Sequence, residues 1–353
     1  MSDAISREVE AARHLAAAQN GDAAEFSELT EPYRRELQVH CYRILGSLHE
    51  AEDMVQETYI KAWKHIGTYE GRASFRSWLY KIATNTCLDF LDTKRSRRLL
   101  PFQINTVSNP DTPIVPPSPE LTWLEPFPDE WLADTAAVNP EARYSQSESI
   151  SLSFLTALQV LPARQRAVLI LRDVLDFSAV ETAEVLELTV SSVNSALNRA
   201  RKTLTGRYQG KIPEMSKMSL SDEKAKRLLD HYVQAWQAAD VNGLVSLLKH
   251  DAILAMPPSP SWYQGHTAIG KFVASTVFAD DRMFPGKARN RWRLLPTRAN
   301  SSPSFAMYQR DEEGDYFAFG LQVLIWEGDK LSQIVNFIDP RLPASFGLPT
   351  TLG

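Results

Sequence analysis

The stretch FSAVETAEVLELTVSSVNSALNRARKTL, residues 177–204, carries residue types suited to reading a nucleic acid. Ser178 and Glu181 have the spacing of a capping box, which predicts a short helix with Ala179, Val180, Ala183, Val185 and Leu186 on its apolar side. After a turn, Thr189 can cap a second helix over 190–204. There Val193, Leu197, Ala200 and Leu204 make one buried stripe. The opposite face presents Ser191, Ser192, Asn194, Ser195, Asn198, Arg199 and Lys202, with Arg201 close by. Short hydroxyl and amide side chains can approach base edges, while Arg199, Arg201 and Lys202 can neutralise phosphates. That is the arrangement of a helix-turn-helix whose second helix enters the major groove by its N-terminal end. Glu187 stands where such a turn usually has glycine. A helical hairpin with a solvated polar face would carry the same residues. A second basic feature, Lys94, Arg95, Arg97 and Arg98, fits phosphate contacts or a solvated helix end.

The elements that must position these groups divide the chain. Residues 22–98 read as dense helix, punctuated by Asp22 with Glu25, a stop at Gly46, a restart at Ser47 with Glu50, a stop at Gly67 and a third start at Ser74. Residues 101–146 differ. Seven prolines fall within 101–126, and eight acids between 110 and 148 face a single arginine, so this segment reads as an acidic linker. Its LTWLEPFPDEWL places apolar anchors among carboxylates, fitting either docking onto another surface or packing on its own neighbours. Helix returns over 147–208 in short pieces. Beyond the connector 209–218, helices at 222–238, 241–249 and 266–277 precede alternating strand patterns near 288–295, 304–310, 316–326 and 331–338, an α+β order. The length of 353 residues predicts more than one core. The net charge of −5 argues against a uniformly basic coat but allows local basic patches. Cys41 and Cys87, the two cysteines, sit in apolar helical patterns, which suits a reducing cytosol. The N-terminus lacks a signal-peptide core and no apolar run approaches a membrane span, so a cytoplasmic location with no membrane partner is expected.

Taken together, residues 22–98 and 147–208 resemble an extracytoplasmic-function sigma factor of the sigma-70 family. SLHEAEDMVQETYIKAW is similar to the core of region two, and FRSWLYKIATNTCLDFLDTKRSRR to the part that melts and reads the minus-ten element. LPARQRAVLILRDVLDFSAVETAEVL and the helix after it resemble region four. LTWLEPFPD and the ending FIDPRLPASFGLP are similar to the sigma-G-like subgroup, which carries a SnoaL-like C-terminal domain. The resemblance implies a multi-domain fold: two all-α sigma domains, a region 2 helical bundle and a region 4 helix-turn-helix, plus an α+β SnoaL-like cone. The expected boundaries are 1–100, a linker at 101–146, 147–210 and 219–345. The implied partners are the RNA polymerase core enzyme, contacted by Asp53, Gln56, Glu57 and Trp63, and promoter DNA. The minus-ten contacts would come from Trp78, Lys81, Asn85, Asp89, Lys94, Arg95, Arg97 and Arg98. Strand opening needs a wedge and a pocket for an unstacked base. Phe75, Trp78 and Tyr80 lie near the implied strand-separating surface, with plain core packing as the alternative for Phe75 and Trp78. Asn85 matches the position lining the flipped-base pocket. Asp89 fits either a base amino group or a local cap.

In the C-terminal segment, Trp236, Met256, Trp262, Trp292, Tyr308, Phe319 and Trp326 are candidates to line a cavity for a small-molecule ligand, or else to fill a core. His266, Asp315 and Asp339 are the acid–base candidates of such cones, but no carboxylate–histidine pair has telling spacing and no metal cluster is evident, so neither cofactor nor enzymatic activity is expected. Lys287, Arg289, Arg291 and Arg293 alternate, which predicts a strand with one cationic face. The rival readings are a one-component helix-turn-helix regulator with a ligand-binding cone, and a cyclase or isomerase fused to a DNA-binding module. The first half of the chain favours the initiation factor over both.

Overall fold

The computed structural model describes residues 2–94, 98–133, 145–207, 223–281, 283–284 and 286–353. These form two compact units. The first takes in the residues up to 94, then 130–149 and 157–207. The second takes in 98–129, 150–156 and 223–353. Lys94's side chain, Arg95, Arg97, residues 134–144 of the acidic linker and the connector at 209–218 lie outside the described residues.

The first unit is helical. Its elements are α1 (Ser2–Gln19), α2 (Ala23–Thr30), α3 (Arg34–Leu45), α4 (Leu48–His65), α5 (Phe75–Lys94), α6 (Glu130–Ala133), α7 (Gln146–Ile150), α8 (Leu152–Leu158), α9 (Ala163–Leu169), α10 (Ala179–Leu186) and α11 (Val190–Arg207), with α7 and α8 straddling the division. Helix α1 adds to the sequence reading, which starts at residue 22. The caps fall where the side chains allow: Asp22 accepts from the amides of Ala24 and Glu25, and Ser47 from Glu50. Gly46 closes α3 with a left-handed φ of 73°. Helix α3 is the axis of the unit, with every residue from Glu36 to Leu45 buried. Its polar groups are therefore spoken for. Arg76 donates to both Glu36 carboxylate oxygens, at 3.0 and 3.2 Å, and Arg43 donates to Ser149 Oγ at 2.7 Å. Thr84 donates its hydroxyl proton to the Tyr80 carbonyl, so it accepts from His40 Nε2 at 2.8 Å, which fixes the neutral Nε2–H tautomer. Burial, aided by Arg43 and Arg76, pushes the His40 pKa down to about 3. Cys41 and Cys87 are both buried free thiols, and burial pushes the Cys87 thiol up, with Cys41 at hydrogen-bonding distance adding to the effect.

The second unit is built on a seven-stranded sheet in the order β2-β1-β6-β5-β4-β3, with β7 on β5. The strands are β1 (Leu248–Ala255), β2 (Trp262–Gln264), β3 (Trp292–Ala299), β4 (Ser302–Arg310), β5 (Tyr316–Glu327), β6 (Lys330–Phe337) and β7 (Thr351–Leu352). Strands β1 and β6 run parallel and the other pairs antiparallel. Register shifts in β1–β6, β4–β5 and β5–β6 bend the sheet. A Cβ on Gly320 would stand 2.2 Å from the Phe337 carbonyl, so only glycine permits that approach. Helices α12 (Glu223–Ala238), α13 (Val241–Leu247) and α14 (His266–Phe272) complete the layer. Helix α12 buries Ala225, Leu229, Tyr232 and Trp236, a single helical stripe.

Two sequence expectations change here. Strand β1 occupies a stretch partly read as helix, and the cationic strand does not exist. Residues 287–291 form a turn, and β3 starts at Trp292. Arg291 is buried, donating to the carbonyls of Val277, Ala279 and Gly286. Lys287 pairs with Asp280 at 2.9 Å, and Arg293 covers the Tyr316 ring. An alternating pattern looks the same whether the chain extends or turns, and carbonyl acceptors for Arg291 decided for the turn.

Residues 98–129 pack as a strap along the sheet unit, with Trp123, Leu124 and Phe127 buried. The Ser108 amide donates to the Trp262 carbonyl at 2.8 Å, the Trp262 amide donates to Ser108 Oγ at 3.2 Å, and Trp262 Nε1 donates to the Asn105 carbonyl. Fully buried Asn300 accepts from the Phe127 amide at 3.0 Å and donates to the Ile150 carbonyl at 2.7 Å. Asp129 accepts from the Ser301 amide and pairs with Arg298.

Asn300→Ala strands two buried backbone groups and is expected to lower unfolding free energy by about 3 kcal/mol, measured by denaturant titration. His40 supplies a pH test. An unfolded His40 takes up a proton below about pH 6.5, whereas the folded one refuses it until about 3. Its stabilisation is complete above pH 6.5 and is lost as pH falls toward 3, about 2 kcal/mol between pH 6.5 and 5. Stability curves of the wild type and His40→Gln, compared over that range, should differ in slope by this amount.

Candidate nucleic-acid interface

The candidate residues for a nucleic-acid interface lie in two places in the first unit. In the first, α10 and α11 form the helix-turn-helix. Ser178 and Glu181 close a reciprocal capping box, with distances of 3.1 and 2.7 Å. Glu187 takes the left-handed conformation itself, φ 55° and ψ 45°, so the turn forms without glycine. Thr189 accepts from the Ser192 amide at 3.1 Å and starts α11. Val193, Ala196, Leu197, Ala200 and Leu204 are buried, while Ser191, Ser192, Asn194, Ser195, Asn198, Arg199 and Lys202 are exposed on one face. Arg201 is half-buried and forks onto buried Asp173, so its charge is spent holding α11 to the preceding turn.

The second place is α5. Trp78 is half-buried in a ring cluster, 5.2 Å from Tyr69 and 5.5 Å from Phe75, with Tyr33 on the far side of Phe75. Tyr80 is fully buried against Phe177. Lys81 lies 3.2 Å from Glu187, and Asn85 Nδ2 donates to the Val185 carbonyl at 3.2 Å. The C-terminal end of α10 therefore covers both. Asp89 is exposed, 3.8 Å from Lys61. Arg98 belongs to the second unit, where it donates to the Trp123 carbonyl and pairs with Glu125. On α4, Asp53 and Gln56 are exposed and Glu57 is half-buried, one helical face, whereas Trp63 packs edge-on against Phe26.

Sequence reasoning passed over Arg166. It is 3 % exposed, and its guanidinium donates to the carbonyls of Leu158, Gln159 and Leu161 at 3.1–3.3 Å and to that of Ile44. A cation set directly against the apolar run AVLIL was the available signal.

In the second unit, Trp236, Met256, Trp292 and Phe319 line a cavity of about 500 Å³. Trp262 holds the strap, Tyr308 donates to the Pro349 carbonyl and Trp326 is buried in the core. His266 stacks edge-on against His250, Asp315 sits in an exposed turn and Asp339 pairs with Arg341.

Residues 29–97 match the family Sigma-70 region 2, and residues 151–204 match Sigma-70, region 4. The chain is 41 % identical over 329 residues to the ECF RNA polymerase sigma factor SigG of Mycobacterium tuberculosis, covering 93 % of this chain and 85 % of that one. It is 29 % identical over 185 residues to the ECF RNA polymerase sigma factor SigW of Bacillus subtilis, covering 52 % and 89 %. Its fold is similar to the crystal structure of the Mycobacterium tuberculosis extracytoplasmic function sigma factor SigJ, with a TM-score of 0.56 at 20 % identity, over 93 % of this chain and all of that one.

The different settings of two neighbouring arginines on α11 make a contrast that can be measured. Arg199→Ala is expected to weaken duplex binding and to reduce the slope of log affinity against log salt by about 0.9, one phosphate contact. Arg201→Ala should leave the slope unchanged and instead cost about 3 kcal/mol of stability, because Asp173 stays buried without its partner. Salt titrations and chemical unfolding of both variants check this.

Proposed function

The chain belongs to the extracytoplasmic-function RNA polymerase sigma factors, and from that membership we propose how its parts divide the work. As a sigma factor it joins the polymerase core and directs it to promoter DNA. We assign core binding to the α4 face of Asp53, Gln56 and Glu57, with Trp63 at its end. Trp78, Lys81, Asn85 and Asp89 on α5 handle the opened minus-ten strand, and the exposed face of α11 reads the minus-thirty-five element. Lys94, Arg95 and Arg97 would add phosphate contacts. The work is non-covalent and takes place in the cytoplasm, where polymerase and template meet. The SnoaL-like domain sets how readily the two sigma regions engage.

The observation that carries this reading is the cover over α5. Asn85 spends its amide on the Val185 carbonyl, and Lys81 its charge on Glu187, both in the helix-turn-helix. Two elements roughly 25 base pairs apart lie on the order of 85 Å apart on a duplex. One molecule cannot read both while α10 touches α5, so the packed first unit is a resting state and the regions part when polymerase and promoter bind. That parting frees the same two side chains for the opened strand, which couples recognition to release.

The test uses the full chain with core polymerase and a promoter library. Discrete start sites are expected. Asn85→Ala should lower strand opening at those sites without changing affinity for the core. Glu187→Lys, which sets two cations against each other across the cover, should raise apparent promoter affinity by about threefold. Absence of any defined start site would remove the reading.

A further inference from the structure

We propose that the sheet domain is a receptor for a neutral, largely apolar small molecule that donates one hydrogen bond to Asn336, held beneath the strap that joins the two sigma regions in sequence. The cavity of about 500 Å³ has the size of a small-molecule site. Its walls come from Trp236, Met256, Phe272, Trp292, Met307 and Phe319, and its roof from residues 114–117 of the strap. None of the described lining residues is Asp, Glu, His, Lys, Arg, Cys or Tyr. A charged ligand would find no counter-charge there, and a reaction would find no general acid or base.

The polar groups narrow the ligand further. Ser259 and Asn336 are the lining residues with polar side-chain oxygens, and the lining Trp236 and Trp292 carry indole N–H groups that have no hydrogen-bond partner among the described residues, so a ligand that also accepts a hydrogen bond is accommodated. Ser259 is already used, donating to the Val115 carbonyl and accepting from the Ser261 amide. Asn336 is 6 % exposed, and its Oδ1 has no hydrogen-bond partner among the described residues. A buried acceptor left open costs about 1–3 kcal/mol, which a ligand O–H or N–H recovers. Few atoms of this lining can hydrogen-bond, so an apolar ligand gains more from it than water does.

The roof ties occupancy to the linker. Val115 donates to Ser261 Oγ at 2.9 Å and accepts from Ser259 at 2.7 Å, so both of its backbone groups are latched to the cone. A molecule below adds apolar contact to Ile114, Pro116 and Pro117 and stabilises the latched strap. This coupling rests on the sigma factor reading, whereas the binding does not.

The experiment is isothermal titration of the full-length chain, without polymerase, with two neutral probes of similar shape: 2-naphthol, which has a hydroxyl proton, and 2-methoxynaphthalene, which lacks it. The wild type is expected to prefer 2-naphthol by about fivefold. Asn336→Leu should lose that preference while still binding 2-methoxynaphthalene, and the retained binding shows that the variant is folded. If Asn336→Leu does not fold, Asn336→Ser supplies the same comparison, with a reduced preference expected. Equal binding of both probes by the wild type, binding of neither, or an undiminished preference in the folded variant would overturn the proposal. Because polymerase is absent, these outcomes are separable from failure of the transcription assay.

Discussion

The buried guanidinium of Arg166 ties two groups of helices in the helical unit together. Arg166 cannot shed its proton inside a protein, so every route to burying it runs through hydrogen-bond acceptors. Four backbone carbonyls meet that demand. Three belong to the turn just before α9, and the fourth is Ile44 at the end of α3. The side chain thus closes the turn and seats the second group of helices on the first. Arg201 repeats the device one step along the chain, clamping α11 to Asp173. The exposed polar face of α11 is thus held by charges that are not part of it. Packing built this way is specific in geometry, because carbonyl oxygens accept from defined directions. It can still be opened, because water can replace the protein as their donor once the helices part.

The strap obeys the same rule with neutral groups. Prolines deny residues 101–126 a regular hydrogen-bond ladder, yet Leu124 and Phe127 lie fully buried. Irregular backbone survives there only if side chains satisfy it. Asn300, Ser259 and Ser261 do so from the sheet, and the strap's own Asp129 accepts from the Ser301 amide in return. Lys271 adds an exposed pair to Asp111. Residues 98–129 are therefore a structural part of the sheet domain, held by hydrogen bonds from its side chains.

The readable portion of this architecture was local. The capping box at Ser178 and Glu181, the apolar stripe of α11 and the stop at Gly46 each depend on residues within one or two helical turns. The structure has them where the spacing puts them. Glu187 looked like a flaw in the turn, yet it adopts the left-handed geometry that glycine would have supplied. What escaped notice depends on partners far away in the chain. Asn85 meets Val185, Arg166 meets Ile44 and Asn300 meets Ile150, none of them with a periodic signature. Strand β1 was obscured because Leu248–Ala255 follows α13 without a break and its apolar residues suit either period. Arg291 was misassigned to a strand face because alternation alone does not reveal that three carbonyls wait in a turn.

The adjacent thiols of Cys41 and Cys87 carry a consequence of their own. Oxidation proceeds through the thiolate, and burial with a hydrogen-bonding neighbour keeps the Cys87 sulfur protonated. Peroxide and electrophiles therefore meet no ready nucleophile at Cys87. A signal carried by oxidants or electrophiles thus has no easy entry to this helical core through the Cys87 sulfur.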